Sequence, residues 1–220
     1  MGMDLWSRVA HMLPALLQGA WTALQIAGGA MIIALLGGLL LATMRTFSRS
    51  QLVRGAVSVY VEWLRNVPAL THLFIIYFGL PSIGIRLPAI PAAIIGLGLI
   101  GAAVLADVFR SGFRALHIGQ SEAALAVGMT PYQVWRHILL PQALRTTLPP
   151  LGNYAAQLIK DTSIASAIAA PEIMFFARNL VTSTFDTTLI YLIVIGIYIA
   201  IIMPVAWGFM RLERLLKKAS

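Results

Sequence analysis

Four long apolar runs, at about residues 21–44, 57–80, 88–109 and 189–210, and a shorter one at about 146–160 alternate with polar stretches. A helix needs roughly 20 apolar residues to cross a hydrocarbon core of about 30 Å, so the runs read as transmembrane helices. The second is interrupted by Glu62, Arg65, Asn66 and Pro68, and the stretch from Lys160 to Thr188 after the fourth is irregular. Ahead of the first, Leu5, Val9, Met12, Leu13, Leu16 and Leu17 recur at helical spacing with Asp4, Arg8 and His11 among them. That pattern predicts an amphipathic helix over 4–18, lying in the membrane interface. A cleaved signal peptide fits less well, because the first residues are not distinctly basic and the following apolar run is too long. The expected fold is all-α, a polytopic membrane protein with about five transmembrane helices in one domain over residues 1–220.

Composition agrees. With 59% hydrophobic and 11% charged residues the chain cannot be a soluble globule. It has no cysteine, which removes disulfides and thiolate metal sites, and no metal site is expected. The formal charge of +8 does not point to nucleic acid, because the basic residues sit at the ends of apolar runs instead of forming a stripe. They act as topology determinants facing lipid. Eleven Lys and Arg fall in the first–second loop, the third–fourth loop and the tail, against four (Arg8, Arg86, Lys160, Arg178) on the opposite side. The positive-inside rule then puts the N-terminus outside, and the polar segment 113–141 and the C-terminus in the cytoplasm.

Within that segment, Ala123, Ala124, Ala126 and Gly128 would give a short helix one bare face that another backbone could approach closely. Pro131, after Gly128 and Thr130, predicts a helix stop, and Leu140-Pro141 predicts the next start. A plain surface helix with a solvated charged face would read similarly. Glu122-Ala123-Ala124, Gly128, Ile138 and Leu140-Pro141, at this spacing between two spans, resemble the cytoplasmic loop of permease subunits from bacterial binding-protein-dependent ABC importers. The resemblance implies the type I importer permease fold in the inner (cytoplasmic) membrane. It also implies that these seven residues form a coupling surface for a dimeric ATPase subunit, which binds the ATP and Mg, so this chain carries no cofactor. A second permease, identical or a sister chain, and a periplasmic substrate-binding protein complete the expected partners.

Polar residues inside spans are costly and mark sites or ion pairs. Glu62 and Arg65, three apart, can share a face and neutralise each other, and Asp107 and Arg110 repeat that spacing. Asp107 is thus either a boundary ion pair or a substrate contact. Glu62-Trp63-Leu64-Arg65-Asn66-Val67-Pro68 resembles an element of the same family, departing from it at Val67, Ala69 and His72, where Gln is usual. His72 is either a packing residue or a tuner of substrate choice.

Leu148-Pro149-Pro150-Leu151-Gly152-Asn153 and Lys160-Asp161-Thr162-Ser163 resemble elements of the polar amino acid branch. A helix starting near Pro149 would carry Lys160 about 16 Å, to mid-membrane. There Lys160 and Asp161 either neutralise one another or meet the carboxylate and ammonium of an amino acid at a helix break. Asp161, Thr162 and Ser163 are expected to border the substrate path, with Asn153 nearer the cytoplasm. Pro171-Glu172 reads as a helix start, and it resembles a further element of the family on the outer side, which implies part of a rim for the binding protein.

No GxxxxGK[ST] occurs, so the chain is not itself a P-loop ATPase. An intramembrane enzyme would need a catalytic constellation, and there is neither HExxH nor cysteine. The expectation is a non-catalytic transport subunit; an ATP-independent carrier or channel is the alternative.

Overall fold

The computed structural model describes residues 4–114 and 118–218, and all regular elements among them are helical. In chain order they are α1 (Leu5–Phe47), α2 (Gln51–Asn66), α3 (Ala69–Phe74), α4 (Ala89–Arg114), α5 (Ile118–Ala126), α6 (Pro131–Val134), α7 (Leu140–Asp161), α8 (Ile173–Thr184) and α9 (Thr187–Lys218). Three of them, α1, α4 and α9, are long and apolar enough to cross a membrane. The number rises to five if the bent pairs Gln51–Asn66 with Ala69–Ile83, and Arg145–Ile168 with Ile173–Thr184, each count as one span.

Asp4 starts α1 by accepting the Ser7 backbone N–H at 2.9 Å, and the helix then runs 43 residues without interruption. The separate interfacial helix expected over 4–18 is therefore the first part of α1. Its apolar stripe has a protein partner: Met12 and Leu16 are buried with Ile173 and Ala177 of α8 and Ile190 and Val194 of α9. Arg8 seals the arrangement by pairing with Asp186, in the turn between α8 and α9.

The centre of the molecule is the packing of α1 on α4. Ala30, Ala34 and Ala42 are buried along α1, as are Ala93 and Ala102 along α4, while Ala103 and Ala106 of α4 pack with Val57, Val61 and Leu64 of α2. A methyl group at Gly38 would come 2.7 Å from Leu105 Cβ, and one at Gly101 2.6 Å from Ala34 Cβ. Apolar side chains gain nothing by leaving lipid, so membrane helices associate by such close backbone approach.

The second apolar run, 57–80, is not one straight span. Val67 takes an extended conformation (φ −100°, ψ 136°) because it precedes Pro68, and the chain turns by 104° between α2 and the α3 segment. A π-helical turn (Ile75–Gly79) and a 3₁₀ turn (Leu80–Ile83) continue α3 to Gly84.

The fourth span also departs from expectation. Helix resumes at Pro131, well before Leu140-Pro141. Thr130 and Gln133 form a reciprocal capping box, with the Thr130 N–H donating to Gln133 Oε1 at 2.8 Å and the Gln133 N–H to Thr130 Oγ1 at 3.3 Å, and Pro131 occupies the first helical position. A π-helical turn, Trp135–Leu139, leads directly into α7. This widened turn accommodates Pro141, whose ring and missing N–H would break a regular α-helix. Pro149 and Pro150 likewise lie inside α7 and do not start it.

Candidate functional site

Taking 100° per residue, Asn153, Gln157, Lys160 and Asp161 fall within an arc of about 100° on α7. Asn153, Gln157 and Lys160 are exposed and Asp161 is half-buried, while Gly152, Ala155, Leu158 and Ile159 on the other side are buried. The helix therefore turns a polar face outward from the bundle. Gln157, absent from the sequence expectations, donates its Nε2–H to Asp161 Oδ1 at 2.8 Å. Its spacing of four residues from Asp161 was the available signal. Lys160 and Asp161 make no direct ion pair: among the described residues the Lys160 side chain has no salt bridge or hydrogen bond, and its charge reaches Asp161 only through space.

Beyond Asp161 the α-helix tightens into a 3₁₀ stretch, Thr162–Ile168, ending at Ala169 in a left-handed conformation (φ 60°). Thr162 is fully buried and donates to the Ile159 carbonyl at 2.8 Å, so its hydroxyl holds the end of α7. Ser163 lines a cavity of about 500 Å³ with Lys160, Met174 and the α9 residues Ile195, Tyr198, Ile199 and Met203. Measured from Arg145, where the bent pair Arg145–Ile168 begins, Lys160 lies about 22 Å along the helix.

Glu172 is completely buried. Its carboxylate caps α8, accepting the N–H groups of Met174 (3.0 Å) and Phe175 (2.8 Å), and its backbone lies so close to α1 that a methyl on Gly19 would be 2.8 Å away. It is an internal brace and not, as expected, part of an outer rim.

Glu62 and Asp107 have partners that local spacing did not indicate. Asp107, expected to pair with Arg110, is reached by Arg45 of α1 at 3.1 Å and by Arg65 of α2, which joins three helices. Glu62 loses Arg65 to that cluster and instead accepts from Asn66 Nδ2 at 3.1 Å. Arg45 could not be linked to Asp107 from spacing, since they are 62 residues apart. His72 is 4% exposed, with Nδ1 3.2 Å from the Pro68 carbonyl and its ring edge-on to Trp63. It packs at the α2–α3 bend, with Nε2 buried and without a hydrogen-bond partner among the described residues.

In the loop, α5 ends with Gly128 at φ 87°, the Gly128 N–H donating to Leu125 O (3.0 Å) and Met129 N–H to Ala124 O (3.1 Å). Ala124 is buried, so the bare face expected from four small residues is narrower. Exposed on the loop are Glu122, Ala123, Leu125, Ala126, Val127 and Tyr132, with Val127 at 80% and Tyr132 at 65%. Ile138, Leu140 and Pro141 are half-buried where the π-turn meets α7, and residues 115–117 of the expected coupling loop lie outside the described residues.

Residues 34–218 match the family described as binding-protein-dependent transport system inner membrane component. The chain belongs to that family. Its relatives include the glutamine transport system permease protein GlnP of Escherichia coli, 30% identical over 96% of this chain and 97% of that one. The probable amino-acid permease protein YxeN of Bacillus subtilis is 40% identical over 76% of this chain and 75% of its own. Among solved structures, an amino acid ABC transporter crystallised with histidines superposes at a TM-score of 0.87, with 30% identity, over 97% of this chain and 99% of that one. The MetNI methionine ABC transporter superposes at 0.75 with 22% identity, which carries the fold alone, over 97% and 99% of the two chains. The chain is a multi-pass membrane protein of the importer permease family with the type I permease fold.

Proposed function

We propose that this chain is the transmembrane subunit of an ATP-driven importer that moves a polar amino acid, or a derivative such as an opine, from periplasm to cytoplasm by alternating access. The observation carrying this reading is the polar face of α7, which ends at a helix break in Lys160, with no salt bridge or side-chain hydrogen bond, and Asp161, whose one hydrogen-bond partner is an amide. Charged groups at membrane depth are retained where they line water or meet a ligand. Lys160 suits a solute carboxylate and Asp161 its ammonium, with Ser163 and Asn153 flanking them; relatives named for glutamine and amino acid transport support that solute class.

Energy enters from outside the chain. The exposed surface around Glu122, Ala123 and Val127, closed by Gly128 and followed by Ile138, Leu140 and Pro141, is the surface for a dimeric ATPase in the inner membrane's cytoplasmic face, and that partner binds ATP and Mg. A second permease, identical or a sister, and a periplasmic binding protein complete the machine. Because α6, the π-turn and α7 form one helical run from the loop to Asp161, movement of the loop reaches the polar face directly.

The test is affinity purification of the tagged chain from its native membrane, beside Gly128→Asp, which forces a branched side chain into a left-handed turn. The wild type is expected to bring down an ATPase subunit and the variant to lose it while its fold, by gel filtration, is kept. An ATPase missing from both would favour an ATP-independent carrier or channel.

A further inference from the structure

Gln157 is the feature of the polar face that the reading above does not use. Its Nε2 is turned toward Asp161 Oδ1 at 2.8 Å, which leaves Oε1 as the outward end of the amide. Only this orientation sets a donor against the carboxylate; the flipped amide would set oxygen against oxygen. Among the described residues neither Gln157 Oε1 nor Asp161 Oδ2 has a hydrogen-bond partner. Two acceptors, one of them formally charged, therefore belong to residues one helical turn apart on the polar side of α7, where Gln157 is exposed and Asp161 half-buried.

We propose that Gln157 is a positioning residue that fixes the Asp161 carboxylate and joins it in a paired acceptor for the ammonium group of the solute. The inference rests on the proposed amino acid path and adds how its cation end is recognised. The chemistry favours a primary ammonium, whose three N–H donors suit two adjacent acceptors. An amide is the right partner for this task. A lysine or arginine at the same position would hold the carboxylate equally well but cancel its charge, as Arg45 and Arg65 do at Asp107. The amide fixes one oxygen by a hydrogen bond and leaves the full negative charge for the ligand.

The test is equilibrium binding to the purified permease–ATPase complex in detergent, with the binding protein omitted so that only the membrane site is read. The probes are the twenty standard amino acids in radiolabelled form, and for the one that binds, its 2-hydroxy acid analogue as competitor. Gln157→Leu is expected to weaken binding of the amino acid about tenfold and to narrow its advantage over the hydroxy acid. Gln157→Asn, one methylene too short to reach, should do the same. Unchanged affinity in both variants, with affinity lost in Asp161→Asn, would overturn the role of Gln157 and leave the path intact. Unchanged affinity in all three, or a wild-type complex that binds none of the twenty, would overturn the path and the inference with it. Loss of the second permease on gel filtration of Gln157→Leu would make this face a subunit interface and overturn the inference alone.

Discussion

Two aspartates sit inside spans of this molecule, and their surroundings are opposite. Asp107, on α4, is gripped by guanidinium groups from α1 and α2, at 3.1 Å in the case of Arg45, and brings three helices together. Asp161, at the end of α7, is held by a neutral amide from its own helix while the adjacent Lys160 stays out of reach. The first arrangement is over-neutralised and closed, and its value lies in fixing helix positions. The second sets an exposed Lys160 and a half-buried Asp161 on a single face with no direct ion pair between them, an arrangement that gives the fold far less than a bridge between helices. On the proposed function, the difference is that between a residue that ties helices together and one that receives a solute.

The comparison breaks most visibly at Asp107. Replacing it by Ala removes the anion and leaves Arg45, 17% exposed, and Arg65, 46% exposed, facing each other across helix ends. Removing one member of a buried pair costs ~3–5 kcal/mol. Solvent screening at these exposures reduces that to about 2 kcal/mol, still enough to lower the yield of folded protein and its melting temperature in detergent. Transport per folded molecule is expected to change much less. A variant with normal stability and no transport would place Asp107 on the path and erase the distinction drawn above.

Asp161→Asn should give the reverse pattern. The new amide can still offer an oxygen to Gln157, so α7 keeps its local hydrogen bond and the melting temperature should be unchanged. Uptake into proteoliposomes carrying the assembled complex should fall about tenfold or more, about 1.4 kcal/mol, because the charge that meets the ammonium is gone. Uptake at the wild-type level in a folded complex would remove Asp161 from the path.

The two aspartates were unequally legible before the structure. Lys160 and Asp161 stand out because charges next to each other in an apolar run are conspicuous, and Gln157 stands one helical turn away. The partners of Asp107 were hidden, since Arg45 and Arg65 lie 62 and 42 residues away and pair with it only through tertiary packing; local spacing pointed to Arg110 instead. The same limit applies to the helices. Apolar runs disclosed an all-α membrane chain, but not that Met12 and Leu16 are covered by α8 and α9, nor that the α2–α3 junction turns through 104°. Ahead of Pro131 the expected stop is the end of α5 at Ala126, and the signal for the next start was Thr130 and Gln133 three residues apart, whose capping box begins a helix at Pro131 and not at Leu140-Pro141.

The smallest and sharpest test concerns the two cations. Arg45→Met removes a partner from Asp107 and should destabilise the chain. Lys160→Met removes a charge that has no partner, and its flexible apolar replacement can lie in the cavity beside Ile199 and Met203. A lysine near the centre of a span costs ~2.5–3.5 kcal/mol on insertion scales, but its long stem lets the ammonium reach water, so the expected gain in stability is only about 0.5 kcal/mol. The sign matters more than the size. A rise in melting temperature together with weaker solute binding would mean that the protein carries Lys160 at a cost to its own stability for the sake of the ligand carboxylate. A fall in melting temperature would mean that Lys160 has a structural partner in the assembled complex, and the contrast with Arg45 would disappear.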